Sequence, residues 1–335
     1  MDISVIIPAY NVERYITEAL SSLYADKPES FEVIVLDDGS SDETAAKVEA
    51  FAATHSEVRL IRNSNHRQGW ERNRGLELSK GKYVYFFDSD DSLKPGALKR
   101  LFDLAEAERL DLIMFEGESF YENEALKSKF PRFETVYRRV REYPEVLSGE
   151  EMYGKLREQG ELIISPCLQF ARRKYLLSAN VRFPENMSMM EDNLYTVRAL
   201  LKAKRVRVIK EVLFRRRVRE NSTMTNLKRD LRELEAIRVI VSELVRMMRE
   251  YNKGSIARSW LAHHARAFVR TANVIAPGDE LKSLLPELER TVSEIQVSPR
   301  SFASYFRGGL KCIRDNGLKY TILNLIDKLK GLAHA

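Results

Sequence analysis

Apolar residues in the first third of the chain come in short unbroken runs, each cut off by acids, glycine or proline. Ile3-Ser4-Val5-Ile6-Ile7-Pro8, Phe31-Glu32-Val33-Ile34-Val35-Leu36, Val58-Arg59-Leu60-Ile61 and Tyr83-Val84-Tyr85-Phe86-Phe87 are of this kind. Runs dominated by β-branched and aromatic residues predict strands buried in a parallel sheet. Between them the apolar spacing turns helical. Val12, Ile16, Ala19, Leu20 and Leu23 predict a helix capped by Asn11, Ser41-Asp42-Glu43 opens a second, and residues 70–79 form a third. A fourth helix is expected over residues 93–109, with Pro95 in its first turn. Alternating strands and helices imply right-handed crossovers, hence an α/β fold with a doubly wound sheet.

Further along, residues 111–115 and 165–170 predict strands, 172–177 a short helix, and 206–209 with 212–214 two more strands. Leu194, Val197, Leu200 and Leu201 mark a helix after Glu191-Asp192. Residues 116–147 lack periodicity and suggest a hairpin or a flexible loop. From about Leu227 the pattern is helical to the end. The expected division is an α/β domain over 1–225 and a helical region over 226–335.

The strand ends carry the polar signatures. In open α/β sheets ligands bind beyond the carboxyl ends of the strands, which is where Asp37-Asp38-Gly39-Ser40 and Asp88-Ser89-Asp90-Asp91 fall. Asp88 and Asp90, one residue apart, point the same way off an extended backbone. Such a pair can hold a divalent cation whose other ligands are water and substrate phosphates. A solvated turn would show the same two acids, so the rest of the chain has to decide.

Charge sharpens the picture. The net charge of +6 hides an asymmetry: residues 1–50 carry 3 Lys/Arg against 11 Asp/Glu, and residues 201–250 carry 15 against 7. A basic second half suits polyphosphate or an anionic surface. Cys167 and Cys312 show no metal or redox spacing and fit a reducing compartment. Met1-Asp2-Ile3 runs directly into a strand, which predicts no signal peptide, and no apolar run is long enough to cross a membrane. A cytoplasmic protein is expected.

Pro8-Ala9-Tyr10-Asn11, the Asp37–Asp42 stretch, Asn65-His66-Arg67-Gln68-Gly69-Trp70-Glu71-Arg72-Asn73-Arg74-Gly75 and Asp88-Ser89-Asp90-Asp91 occur in this order on the predicted strand ends. Together they resemble the family 2 glycosyltransferases of GT-A fold, inverting enzymes that build bacterial surface polysaccharides. The resemblance covers roughly residues 3–225. Residue chemistry is compatible with it. Asp38 can accept the imide N–H of uracil, Tyr10 can pack on a base, Asp88 can accept a ribose hydroxyl, and Arg72 adds a cation.

The resemblance implies donor contacts at Pro8, Tyr10, Asn11, Glu13, Asp38, Asn65, Arg72, Asp88 and Ser89. It implies Mn²⁺ or Mg²⁺ at Asp90 with Asp88. Glu191-Asp192 resembles the family's Glu-Asp motif, whose aspartate is the general base, so Asp192 is the candidate base. Arg217, Arg219 and Ser222 match an Arg-x-Arg-x-x-Ser loop at the diphosphate and acceptor. The implied reaction takes a nucleotide-diphosphate sugar, UDP-linked by preference, to a hydroxyl of a glycan or lipid-linked acceptor of a capsule or related cell-envelope polymer.

Two rival readings fit the residues less well. A sugar-nucleotide nucleotidyltransferase wants a Gly-rich basic loop after the first strand, and Pro8-Ala9-Tyr10-Asn11 is not one. A non-catalytic basic binder would be expected to lose acids, yet Asp38, Asp88, Asp90 and Asp192 are all present. Nucleic-acid binding is disfavoured because no aromatics interleave the basic run at 215–219. The stripe Leu318, Ile322, Leu325, Ile326, Leu329 and Leu332, flanked by lysines, suggests a basic amphipathic helix lying on the inner face of a membrane, or else self-association.

Overall fold

The computed structural model describes residues 1–25, 27–64, 66–220, 222, 225, 231–252 and 254–275. The chain divides into two compact units. The first comprises Met1–Gly149 and Ile163–Lys228, and the second Glu150–Leu162 and the chain from Arg229 onward.

The first unit is built on one sheet. Its strands are β1 (Ile3–Ala9), β2 (Phe31–Asp37), β3 (Val58–Arg62), β4 (Tyr83–Phe86), β5 (Ser92–Leu93), β6 (Leu112–Tyr121), β7 (Gln169–Arg172) and β8 (Val206–Val218), in spatial order β3-β2-β1-β4-β7-β6-β8-β5. β1 pairs in parallel with β2 and β4, β2 with β3, and β6 with β8. β7 and β5 run antiparallel to their neighbours. The helices are α1 (Ile16–Tyr24), α2 (Thr44–Ala52), α3 (Gln68–Leu78), α4 (Ala97–Ala107), α5 (Glu124–Lys129), α6 (Gly149–Gln159), α7 (Arg173–Ser178) and α8 (Glu191–Leu201), followed by α9 (Leu231–Met248) and α10 (Ile256–Ile275).

β1 shows why the apolar runs do not alternate. Ile3, Val5 and Ile7 share a core with Ile16 and Leu20 of α1, Val48 of α2 and Leu101 of α4. On the other face a Cβ at Gly75 of α3 would collide with Ile6 Cγ2, so only glycine lets this helix lie against the strand. Both faces are covered, and each buried Val, Leu or Ile contributes about 1.5–3 kcal/mol.

Several local expectations need correcting. Asn11 does not cap α1: its backbone is left-handed (φ 50°), and the helix begins at Ile16. Pro95 precedes α4 rather than entering it, because Gly96 (φ 73°) turns the chain first. Residues 116–147 hold no hairpin. β6 runs on to Tyr121, and Asn123, which accepts the Leu126 N–H at 2.9 Å, caps α5. The segments 206–209 and 212–214 are one strand. β8 continues through Val218, so Arg215–Arg217 lie in a strand paired with Glu118–Phe120 and not in a loop. Alternating core residues Phe214, Arg216 and Val218 explain why this strand was hard to see: its inward cation is covered by Phe133 and Tyr137, 4.4 and 5.6 Å from the guanidinium.

In the second unit α9 and α10 pack on one another through Ile237, Val241, Leu244, Leu261 and Ala265. Tyr153 of α6 meets buried His264 of α10 at 3.3 Å, and burial pushes that imidazole well below its usual range. Among the described residues no helix is long and apolar enough to cross a membrane. The proposed amphipathic stripe, Leu318 to Leu332, lies outside the described residues, as does Asn65.

Candidate active site

The carboxyl ends of β1, β2 and β4 and the start of α8 bring most of the candidate residues together. At the end of β1, Pro8 is buried in register with Leu36, and Tyr10 projects with 57% of its surface exposed. Asn11 and Glu13 knit this turn to the one after β2. The Ser41 N–H donates to Asn11 Oδ1 at 2.9 Å, and the Glu43 N–H to Glu13 Oε2 at 2.9 Å. Gly39 (φ 80°) supplies the left-handed position that the second turn requires. Asp42 accepts the Thr44 and Glu13 amides and so anchors the start of α2.

Asp38 is buried, and its carboxylate accepts the backbone N–H groups of His66 at 2.5 Å and Arg67 at 2.9 Å. The imidazole of His66 stacks on Trp70 at 4.1 Å. Below them Glu71, fully buried, accepts from Asn63 Nδ2 at 2.6 Å.

Arg72 lies inside the protein among the candidate carboxylates. With 1% of its side chain exposed it is the hub of three carboxylates. Its Nη2 donates to Asp88 Oδ1 at 2.9 Å, and its Nη1 to Glu191 Oε1 at 3.1 Å and Asp192 Oδ1 at 2.8 Å. The guanidinium lies 5.0 Å from the ring of Phe183, which stacks on Tyr195 at 4.0 Å. Asn73 works beside it: its amide exchanges hydrogen bonds of 2.9 Å with the backbone of Phe183 and donates to Glu185. Adjacent residues of α3 therefore tie down the segment that leads into α8. That segment turns through Met190 in a left-handed conformation (φ 63°), a strained position of the kind found at functional sites.

Asp192 keeps 35% of its side chain open and Asp88 32%, whereas Glu191 is buried. Protein surrounds Asp192 on its other sides. Burial, with Glu191 and Asp88 nearby, raises its pKa to about 7 against the opposing pull of Arg72. A carboxylate at about 7 is poised to accept a proton near neutrality.

The acidic turn after β4 is clamped from β8. The Arg217 N–H donates to Asp91 Oδ1 at 2.7 Å, its Nε to the Asp90 carbonyl at 3.0 Å, and its Nη2 to Glu18 at 2.6 Å. Arg219 Nε donates to Asp90 Oδ2 at 2.6 Å. Tyr15 lies 5.2 Å from the Arg217 guanidinium and 5.0 Å from that of Arg219. Phe120 is 4.6 Å from Arg217. Ser222 contacts Thr225, whose hydroxyl donates to the Arg219 carbonyl at 2.9 Å. Ser89 is buried in the acidic turn. The sequence offered Glu71 and the 116–147 stretch that holds Phe120 only as candidates for sugar specificity, gave no separate role to Gln68, 3.3 Å from Asp88, and missed Tyr15.

Among the described residues no cluster of three or more His, Cys, Asp or Glu side chains is arranged for a metal. A cation that takes one or two carboxylates and completes its shell with phosphate and water does not need one. Burial and the neighbouring Asp88 raise Asp90, Arg219 opposes them, and a cation is what such a carboxylate attracts. Asp88 and Asp90 therefore fit Mg²⁺ or Mn²⁺ bound together with a substrate.

Comparison with known proteins adds independent findings. The model of the family described as glycosyl transferase family 2 matches residues 4–177. The chain is 29% identical to EpsJ, an uncharacterised glycosyltransferase of Bacillus subtilis, over 224 residues, which span 66% of this chain and 62% of EpsJ. It is 30% identical to TarS of Staphylococcus aureus, a poly(ribitol-phosphate) β-N-acetylglucosaminyltransferase, over 279 residues, 81% of this chain and 45% of TarS. The chain thus spans less than two thirds of either relative. The crystal structure of TarS residues 1–349 in complex with UDP-GlcNAc aligns at TM-score 0.60 with 25% identity, covering 78% of this chain and 70% of that one. A mannosyltransferase of Pyrobaculum calidifontis, solved in complex with GDP-Man and Mn²⁺, shares the fold at TM-score 0.55 and 17% identity, covering 98% of this chain and 86% of that one.

Proposed function

The chain belongs to glycosyl transferase family 2, and from that premise we propose that it moves a sugar, with inversion, from a UDP-linked donor to a hydroxyl of a glycan or lipid-linked acceptor of a cell-surface polymer. The observation that carries this reading is Arg72. It holds Asp192, the candidate base, and Asp88, at the donor-side strand end, on one guanidinium. A base fixed beside the donor carboxylates is what an in-line inverting displacement requires.

In this reading exposed Tyr10 stacks on the base. Asp38, oriented by two amides, keeps lone pairs free to accept the uracil imide N–H. Asp88 accepts a ribose hydroxyl through its open side. Asp90 and Asp88 would hold a divalent cation, which when bound neutralises charge that grows on the departing diphosphate. Arg219 and Arg217 stand at the same turn and can turn donors toward phosphate oxygens. Asp192 removes the proton of the acceptor hydroxyl as it attacks. The leaving nucleotide needs no protonation, so one carboxylate suffices. The solved TarS complex with UDP-GlcNAc supports uracil as the base. Activity on a lipid-linked acceptor would place the protein at the inner face of a membrane.

A thermal-shift titration with UDP, GDP, CDP and ADP, each with and without Mn²⁺, tests the donor assignment, because a ligand that binds the native state raises the melting temperature. A Mn²⁺-dependent rise with UDP that disappears in Asp90→Ala is the expected result. No rise with any nucleotide would overturn it.

A further inference from the structure

Glu71 has no task in the mechanism above, yet it is fully buried at the base of the nucleotide side of the site. Its Oε2 accepts from Asn63 at 2.6 Å, while its Oε1 is shielded from solvent and receives no donor. Within hydrogen-bonding reach of the Glu71 carboxyl lies another carboxylate, Asp38. Two carboxylates cannot hydrogen-bond to each other unless one carries a proton. Asp38 cannot give up its position, since both its oxygens are engaged by the amides of His66 and Arg67.

Those amides need holding. Arg67 has φ 77° and ψ 156°, a region that is essentially reserved for glycine. Its N–H bond to Asp38 and its carbonyl bond from the Glu71 N–H at 3.2 Å tether it on both sides. The same turn carries His66 onto Trp70.

We propose that Glu71 is a positioning residue of the nucleotide pocket: its buried carboxyl, tied to Asn63, shares a proton with Asp38 and so holds Asp38 against the strained 66–67 turn. The neutral Glu71 acid is the proton donor, Asp38 the acceptor, and no other co-reactant is needed. The charged and titratable groups facing Glu71 agree with this. β2 contributes Asp37 and Asp38, both of which oppose a second negative charge. The segment after β3 contributes the amide of Asn63. β1, against which α3 packs, carries no titratable side chain. Arg72, next on the helix, is committed to Asp88, Glu191 and Asp192. Burial first, and then these acids, push Glu71 up to about 7.

The inference rests on the UDP reading of the site, and its test separates the two. The full chain, its Glu71→Gln variant and its Glu71→Ala variant are titrated calorimetrically with UDP at about pH 6 and about pH 8.5, and their melting temperatures are recorded without ligand at both values. Ionising Glu71 sets two carboxylates against each other. Wild-type affinity should therefore fall by about tenfold more than that of Glu71→Gln as pH rises through about 7. Glutamine donates to Asp38 at every pH, so Glu71→Gln should bind at about the wild-type pH 6 level throughout, apart from changes that the ligand's own titration imposes on both proteins. Glu71→Ala should bind weakly at both pH values.

The melting temperature of wild type relative to Glu71→Gln should also fall over the same interval. A group whose folded-state value is raised contributes stability at low pH that is lost as pH passes that value. Parallel pH profiles for wild type and Glu71→Gln, or wild-type affinity in Glu71→Ala, would overturn the role of Glu71. If wild type binds no UDP at either pH, the donor assignment fails, and the ligand-free melting difference still decides whether the proton is shared.

Discussion

Two sets of arginines meet acids at this site, and their surroundings differ. Arg72 is buried with three carboxylates on one guanidinium, and it joins α3, the end of β4 and the start of α8. Arg217, on β8, and Arg219, just past its end, are 11% and 20% exposed; Arg217 lies between Tyr15 and Phe120, Arg219 lies over Tyr15, and both are bonded to the acidic turn. A buried charge without its partners is strongly destabilising, whereas a pair nearer the surface costs less to break. On the proposed mechanism the first set is architecture that fixes where the base stands, and the second is adjustable, able to trade a carboxylate for a phosphate.

The sharpest way to break this contrast is Arg72→Met. It strands Glu191 beside Asp88 and Asp192, and should cost roughly 3–5 kcal/mol of stability together with nearly all transfer. Urea unfolding and a UDP-release assay would measure the two losses. Arg72→Lys should recover part of the stability but less of the activity, since an ammonium cannot span three carboxylates in one plane.

The next effect is on pH. Asp192 must be ionised to accept a proton, and its value in the free protein is about 7. kcat/KM should therefore rise about tenfold per pH unit below about 7 and level off above it. A flat profile between about pH 5.5 and about pH 8 would remove Asp192 from the role.

The smallest effect is expected at the rim. Arg219→Ala should cost less stability than Arg72→Met, on the order of 1–2 kcal/mol. It should raise the KM for the donor by up to about tenfold, an effect that weakens as salt is added. An unfolding penalty as large as that of Arg72→Met would erase the distinction between the two sets.

The sequence made the sheet legible where each apolar run belonged to one buried strand, as at Ile3–Ala9 and Phe31–Asp37. It also located the acids at the strand ends, because strand ends are where an apolar run must stop. It failed at β8, where Arg215, Arg216 and Arg217 read as a loop. There the aromatic rings that cover the cations lie about 80 to 200 residues away in the chain. The partners of Arg72 were hidden for a related reason: Asp88 and Glu191-Asp192 are 16 and about 120 residues distant. The pairing of Glu150–Leu162 with the C-terminal helices is equally non-local. Glu71 stood out only as a candidate for sugar specificity, and its burial was not legible, since a glutamate in the first turn of a helix is ordinarily a solvated partner for the helix dipole.

The most direct test of the account is Asp192→Asn, which keeps the shape of the side chain and its hydrogen bond to Arg72 while removing the base. Release of UDP from a panel of UDP-sugars should fall by about 10²- to 10⁴-fold, with UDP binding unchanged. Release at the wild-type rate from a variant that still binds UDP would contradict the account.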